Sequence, residues 1–390
     1  MKNHLAIAQS VLDNTVRLRR ELHQYPELSQ QEHRTQALIM ARLEELGVSY
    51  RTHSNGGITA TIGHGSRAVG IRGDMDALPI EEKTGLPYAS KNPGVMHACG
   101  HDIHTALLLG AAQMFKAQEE ELGCAVKLFF QPAEETVGGA NTMILEGCME
   151  DPAVDAVLGI HVAPTLAVGA ASFLPGKMNA AVIELDITVQ GKGCHGAHPE
   201  QGVDAIVAAA HVITALQTVN SRRTAPTEPV VVTIGSIEGG TGRNIVAGEV
   251  HLKGTIRVLD MDTARKVKDL VTKTAQAAAS AVGAEAEVTL VDDYPALVND
   301  LALTHLMADV AKTLLGADKV VLKDTPSLGA DDFAYFANAA RGCYFSIGTA
   351  TPGEPLQSLH SAVFAPNEGC ILTGLGLLSA GVWKLMEGPL

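Results

Sequence analysis

The densest run of chemistry-bearing side chains is His97-Ala98-Cys99-Gly100-His101-Asp102-Ile103-His104. A thiolate and an imidazole two residues apart can converge on one divalent cation, and soft or ionisable ligands packed this closely suit a metal. The same run also reads as a turn in which Asp102 caps a helix and the imidazoles are unrelated. A second cluster, Gln131-Pro132-Ala133-Glu134-Glu135, ends an apolar run. Sites of α/β proteins lie at such strand ends. Two adjacent carboxylates are costly to bury unless a cation compensates them. On an extended segment they point opposite ways, so one can face a metal and the other a substrate. A solvated acidic loop is the alternative.

Three more segments join them. His161 sits at the end of the apolar run Gly159-Ile160-His161-Val162, where a structural histidine is equally at home. Asp74-Met75-Asp76 follows a strand-like run, and its alternative is an Asx turn before Pro79. His360 lies late in the chain, in Ser358-Leu359-His360-Ser361. Each has a bland explanation alone. Together they bring Cys, His, Glu, His and His to separate strand–loop junctions of one domain, which points to a two-metal site.

A different set occupies residues 181–291. Gly191-Lys192-Gly193-Cys194-His195-Gly196-Ala197-His198-Pro199 is a polar, Gly-rich turn, and residues 239–244, ending in Asn244, form another. Neither is a phosphate loop, because GxxxxGK[ST] is absent and no GxGxxG follows a strand. Arg257, inside a strand, can bind a carboxylate bidentately or pair with a neighbouring acid. Cys194 beside His195 suggests a thiol nucleophile, but the metal set explains more residues.

The elements that must position these groups follow from composition and periodicity. The chain has 390 residues, enough for about two domains. With 46% hydrophobic and 18% charged residues it can bury a large core. A net charge of −14 argues against nucleic acid or an anionic membrane surface as partner. No apolar run is long enough to span a bilayer, and the N-terminus reads as a charged amphipathic helix, not a secretory signal. Six cysteines are too few for a disulfide scaffold, so free thiols in a reducing cytoplasm are expected.

Two helices are expected in the first 50 residues, the second capped by Ser29 with Glu32 completing a capping box. Strands follow at 58–62, 67–73, 125–130 and 155–162, with an apolar helix over about 105–118. Strands alternating with helices imply a sheet covered on both faces. Near residue 180 the pattern changes to β-α-β-β-α-β: strands 181–190, 230–237, 249–259 and 285–291, with helices 204–220 and 261–282. A final helix spans about 368–386. The expected organisation is a discontinuous metal-binding domain, 1–180 plus 292–390, with a second domain, 181–291, inserted.

The motifs MHACGHDIHTALLLGAA, FFQPAEETVGGA, GIHV and GKGCHGAHP resemble the bacterial hippurate hydrolase, N-acyl-amino-acid amidohydrolase and plant auxin-conjugate hydrolase group. That group falls within the dinuclear-metal aminoacylase and carboxypeptidase G peptidases. The resemblance runs from RRELHQYPELS to the His360 region. It implies a metallopeptidase-like α/β/α catalytic domain with a mixed sheet, and an inserted ferredoxin-like α+β lid that often mediates dimerisation. It implies two divalent ions, Zn, Mn, Ni or Co, bridged by Cys99. Glu135 and His360 would complete one, His101 and His161 the other. Glu134 would be the general base and Asp76 the aspartate behind the metals. His195 would polarise the scissile carbonyl, from a neighbouring subunit in some relatives. Asn244 and Arg257 match positions that take the substrate carboxylate.

The implied reaction is hydrolysis of an N-acyl L-amino acid to a carboxylic acid and a free amino acid. A metallo-dipeptidase or carboxypeptidase, a deacetylase of the N-acetyl-diaminopimelate type, or a binding protein without turnover are the alternatives. A homodimer or higher homo-oligomer is expected. Three features depart from the family pattern: Asp331 where relatives commonly carry Glu, Glu200 after Pro199, and the loop around His360.

Overall fold

The apolar runs of the first 170 residues become the centre of an eight-stranded mixed sheet in the computed structural model, which describes residues 2–388. Its strand order is Ser49–Thr52, Ile58–Ile62, Ala125–Gln131, Arg67–Asp74, Ala153–Ala167, Arg341–Ala350, Ala171–Phe173 and Val320–Leu322. The four inner strands, from Ala125–Gln131 to Arg341–Ala350, are mutually parallel. Antiparallel partners flank them on both sides. Ala125–Gln131 is buried at every position, as a strand covered on both faces must be. The carboxyl ends of the parallel strands deliver Asp74, Gln131 and their following loops to one edge.

Helix His101–Lys116 is buried along almost its whole length. It packs on strand Arg67–Asp74 and on helices His4–Gln24 and Cys370–Met386. A helix apolar on all sides needs cover on all sides. It begins at His101, four residues before the start expected from the apolar pattern. Gly100 makes this possible with a φ of +86°, and a Cβ there would lie 2.5 Å from Val162 Cγ2. The early start places both His101 and His104 in the helix. Asp102 does not cap it; the carboxylate is buried against Arg19 and His23.

The expected capping box is also absent. Helix His33–Glu45 has Glu32 at its N-cap position without a side-chain cap. The Glu27 carboxylate instead accepts the N–H groups of Arg34 and Thr35, at 2.9 and 2.8 Å. Ser29 and Glu32 have tertiary partners, described below, that outcompete the local pattern.

Two compact units result. The first comprises Met1–Gly176, Val298–Pro326 and Asp332–Leu390 and carries the large sheet. The second comprises Lys177–Leu297 and Ser327–Asp331. Ser327–Asp331 belongs with it through backbone bonds from Ser327 N to Met178 O (2.9 Å) and from Ala180 N to Gly329 O (2.9 Å). The second unit is an antiparallel sheet in the order Val230–Gly239, Glu249–Val258, Ala181–Gln190, Glu285–Asp292. Helices Ala205–Thr218 and Met261–Ser280 pack on each other and on the sheet. Along Ala181–Gln190 buried apolar residues alternate with Glu184, Asp186, Thr188 and Gln190, so one face is apolar and the other polar. The two units have separate apolar cores. Among the described residues, no helix is long and apolar enough to cross a membrane.

Candidate metal centre

Five of the residues singled out in the sequence meet in the first unit. Donor atoms of Cys99, His101 and His161 lie within 4.8 Å of one another, as do those of Cys99, Glu135 and His360. Cys99 is common to both groups. Cys99 Sγ is 3.5 Å from His161 Nε2, and Glu135 Oε1 is 3.3 Å from His360 Nε2 and 3.8 Å from His101 Nε2.

The ring orientations are set from outside the cluster. His101 Nδ1 donates to the backbone oxygen of Asp76 at 2.9 Å. His161 Nδ1 donates to Val162 O at 2.8 Å, which turns its Nε2 toward Cys99. A carbonyl oxygen only accepts, so each Nδ1 carries a proton, and Nε2 is the nitrogen turned toward the cluster. His161 lies within strand Ala153–Ala167, which continues beyond the end expected from its apolar run. His360 is the half-exposed member, with a φ of +58° and its N–H bonded to Ala98 O at 2.9 Å.

Asp76 is the organiser behind the cluster. Its Oδ1 accepts the N–H of Glu134 at 3.1 Å and its Oδ2 that of Glu135 at 3.0 Å. Its Oδ2 also accepts the Ser29 hydroxyl at 2.6 Å. The Asx turn considered for this segment is not what is found: both Asp74 and Asp76 are buried. Glu134, also buried, belongs to a third donor group with His101 and Glu135.

These residues fit divalent cations. His101 Nε2 and Glu135 Oε1 are buried and have no hydrogen-bond partner among the described residues. Burial pushes the Cys99 thiol up, so a neighbouring cation is needed to hold it as a thiolate near neutral pH. Burial pulls the His101 imidazole down, but Asp74, Cys99 and Asp76 outweigh it and raise it well above its ordinary value. Glu135 is held low despite burial by His360 and His101. Such proton-holding pairs are what a metal replaces on binding. Thiolate, imidazole and carboxylate together suit Zn, Co, Ni or Mn.

Below the cluster runs a second buried network, in which Arg72 and Asp332, not singled out in the sequence, join Asp74, His104 and Gln131. Arg72 donates to Asp74 (2.6 Å), Gln131 (2.7 Å) and Asp332 (2.7 Å). Asp74 accepts His104 Nδ1 at 2.6 Å, and His104 Nε2 accepts the Val162 N–H at 3.0 Å. Burial would raise Asp74, yet His101, Arg72 and His104 hold it well below the usual carboxylate range. The network ties together four chain segments that carry cluster residues. An arginine inside the buried stretch of strand Arg67–Asp74 was its signal, because a buried guanidinium requires acidic partners.

His195, Asn244 and Arg257 lie in the second unit. His195 and Asn244 share one small structure: Ile245 pairs with His195, and Gly196 N donates to Asn244 O at 2.7 Å. Both side chains are exposed. Arg257 lies on strand Glu249–Val258 between Val182 and Val231, apart from that pair of strands. Its Nη1 is buried without a hydrogen-bond partner among the described residues.

Comparison with known proteins follows the same lines. A model described as peptidase family M20/M25/M40 matches residues 70–379. An N-acetyl-L-cysteine deacetylase of Bacillus subtilis is 41% identical over 373 residues, covering 95% of this chain and 88% of that protein. The IAA-amino acid hydrolase ILR1-like 4 of Arabidopsis thaliana is 36% identical over 380 residues, covering 96% and 86%. The crystal structure of the Bacillus subtilis YxeP protein, described as a dinuclear metal-binding peptidase from the M20 family, superposes with a TM-score of 0.85 at 29% identity, covering 97% and 99%.

Proposed function

The chain belongs to peptidase family M20/M25/M40, and from that premise we propose that it is a metal-dependent amidohydrolase that cleaves N-acyl L-amino acids to a carboxylic acid and a free amino acid. The observation that carries this reading is the sharing of Cys99 by two donor groups, with the buried Glu134 carboxylate beside them. Cys99, His101 and His161 would hold one divalent ion, and Cys99, Glu135 and His360 a second. When bound, such a pair supplies positive charge that acidifies a water molecule and polarises a carbonyl.

The chain's own residues do the rest. Glu134 accepts the proton of the attacking water and returns it to the leaving amine nitrogen, because an amide nitrogen leaves as the neutral amine. Asp76 fixes the His101 ring and the Glu134–Glu135 backbone, so neither moves as charge develops. His195 donates to the developing oxyanion. Asn244 and Arg257 bind the α-carboxylate, which selects amino-acid conjugates and orients the bond. The Nη1 of Arg257, buried without a hydrogen bond among the described residues, supports that role. Residues 181–291 act as the lid and dimerisation domain. The acyl group ranges from acetyl to benzoyl, hippurate being the simplest aryl case.

The test is hydrolysis of N-acetyl and N-benzoyl amino acids and of dipeptides by the metal-loaded protein. Turnover of the acyl amino acids above the dipeptides supports the reading. Preference for dipeptides makes the protein a dipeptidase instead.

A further inference from the structure

Ser29 and Glu32 form a capping pattern in the sequence, yet both side chains turn away from the start of helix His33–Glu45 and reach the site. Glu32 is fully buried, and its Oε1 accepts the N–H of Ala133 at 2.8 Å. The Ser29 hydroxyl donates to Asp76 Oδ2. Since Asp76 accepts the N–H groups of Glu134 and Glu135, three successive amides end on two carboxylates: Ala133 on Glu32, Glu134 and Glu135 on Asp76.

That convergence requires an unusual backbone. Ala133 has a φ of +58°, a left-handed conformation that residues with a Cβ seldom adopt and that persists only where its surroundings enforce it. The enforcing contacts are the Glu32 bond on its N–H side and Gly138 N to Ala133 O, 3.0 Å, on its C=O side. Without Glu32 the Ala133 N–H is buried with no acceptor, and the residue relaxes toward a right-handed or extended conformation. The direction of both following side chains then changes.

The segment supplying the two groups is itself anchored. Ala77 N donates to Glu27 O at 2.8 Å, Leu28 bridges to Ala77, and Asn92 Nδ2 donates to Pro26 O at 2.8 Å. Residues 26–32 therefore clamp the Asp74–Asp76 segment on one side and the Ala133–Glu135 turn on the other.

We propose that Ser29 and Glu32 are positioning residues for hydrolysis: Glu32 locks Ala133 in its left-handed conformation so that Glu134 and Glu135 face their targets, and Ser29 locks the Asp76 carboxylate that holds both amides. The inference rests on the roles given above to Glu134 and Glu135.

The experiment compares Glu32→Ala, Glu32→Gln, Ser29→Ala and Ser29→Thr with the wild-type chain in metal-loaded form. Hippurate and N-acetyl amino acid hydrolysis, chelator competition for bound Zn, and thermal melting are measured on each. Glu32→Ala lowers kcat by roughly 10–100-fold and eases loss of Zn to chelator, while KM changes less than about threefold. Glu32→Gln keeps an acceptor oxygen and restores kcat to within about threefold of wild type. Ser29→Ala loses about 10-fold and Ser29→Thr recovers it. If Glu32→Ala does not fold, the Ser29 pair and Glu32→Gln carry the test. Folded Glu32→Ala or Ser29→Ala with wild-type kcat and an unchanged chelator curve overturns the proposal. So does a folded Glu32→Gln without activity. A Glu134→Gln control separates the two layers: if it retains turnover, the reading of the site fails; if it is inactive while the Glu32 and Ser29 variants are normal, only the positioning role fails.

Discussion

The imidazole of His101 donates through Nδ1 to the backbone oxygen of Asp76, and its Nε2 is buried without a hydrogen bond among the described residues, 3.8 Å from Glu135 Oε1. One residue thus fixes the ring orientation of the other and aims its Nε2.

Asp76→Ala removes the carboxylate that lies 3.2 Å from the same ring nitrogen and accepts both glutamate amides. Metal affinity, read by chelator competition, falls about 10–100-fold with a folded chain. An unchanged affinity would mean that the backbone bond alone aims His101.

Glu134→Gln keeps the side-chain shape and removes the base. Bound metal stays near the wild-type amount while kcat drops about 100- to 10,000-fold. Near-normal turnover would assign the proton transfer elsewhere.

The residues proposed as metal ligands were legible because each sits in a short motif, although His161 lies inside strand Ala153–Ala167 and not at its end. Cys99 and His101 share one turn, and Glu134 and Glu135 another. The supporting residues were not, because their partners are remote in sequence: Arg72 meets Asp332, and Arg19 meets Asp102. Local rules also misled where tertiary bonds overrode them. The Ser29–Glu32 spacing is that of a capping box, but both groups find partners near the site. The apolar pattern started the central helix at residue 105 because it is blind to the left-handed turn at Gly100 that lets the helix begin at His101.

Asp332 accepts from Arg72, from Gln131 and from the N–H of Ala140, and both ions are fully buried. Asp332→Ala removes one of the two buried carboxylates on the guanidinium, leaving Asp74, and takes the acceptor from the Ala140 N–H, destabilising the fold by about 3 kcal/mol. Urea unfolding of the two proteins checks this; a loss below about 1 kcal/mol would mean that the network is replaceable.

Burial pushes the Glu32 carboxyl from 4.5 up to about 7. Between those values the folded chain binds more protons than the unfolded one, so this group's contribution to stability falls as pH rises, and the penalty is complete above about 7. Glu32→Gln does not titrate. Its stability relative to wild type therefore rises across this window by up to about 3 kcal/mol. A stability difference that is flat with pH contradicts the shift.

Arg257→Ala reduces kcat/KM for substrates bearing a free α-carboxylate by at least about 10-fold and spares their amidated counterparts. Equal losses on both would make Arg257 structural.

The most direct measurement is titration of metal-stripped protein with Zn, Mn, Co or Ni, following bound ions per chain and hippurate and N-acetyl amino acid hydrolysis together. Two ions per chain are expected, with activity absent in the stripped protein and restored as the sites fill. Hydrolysis by metal-free protein, or no stoichiometric binding of any of the four ions, would contradict this expectation.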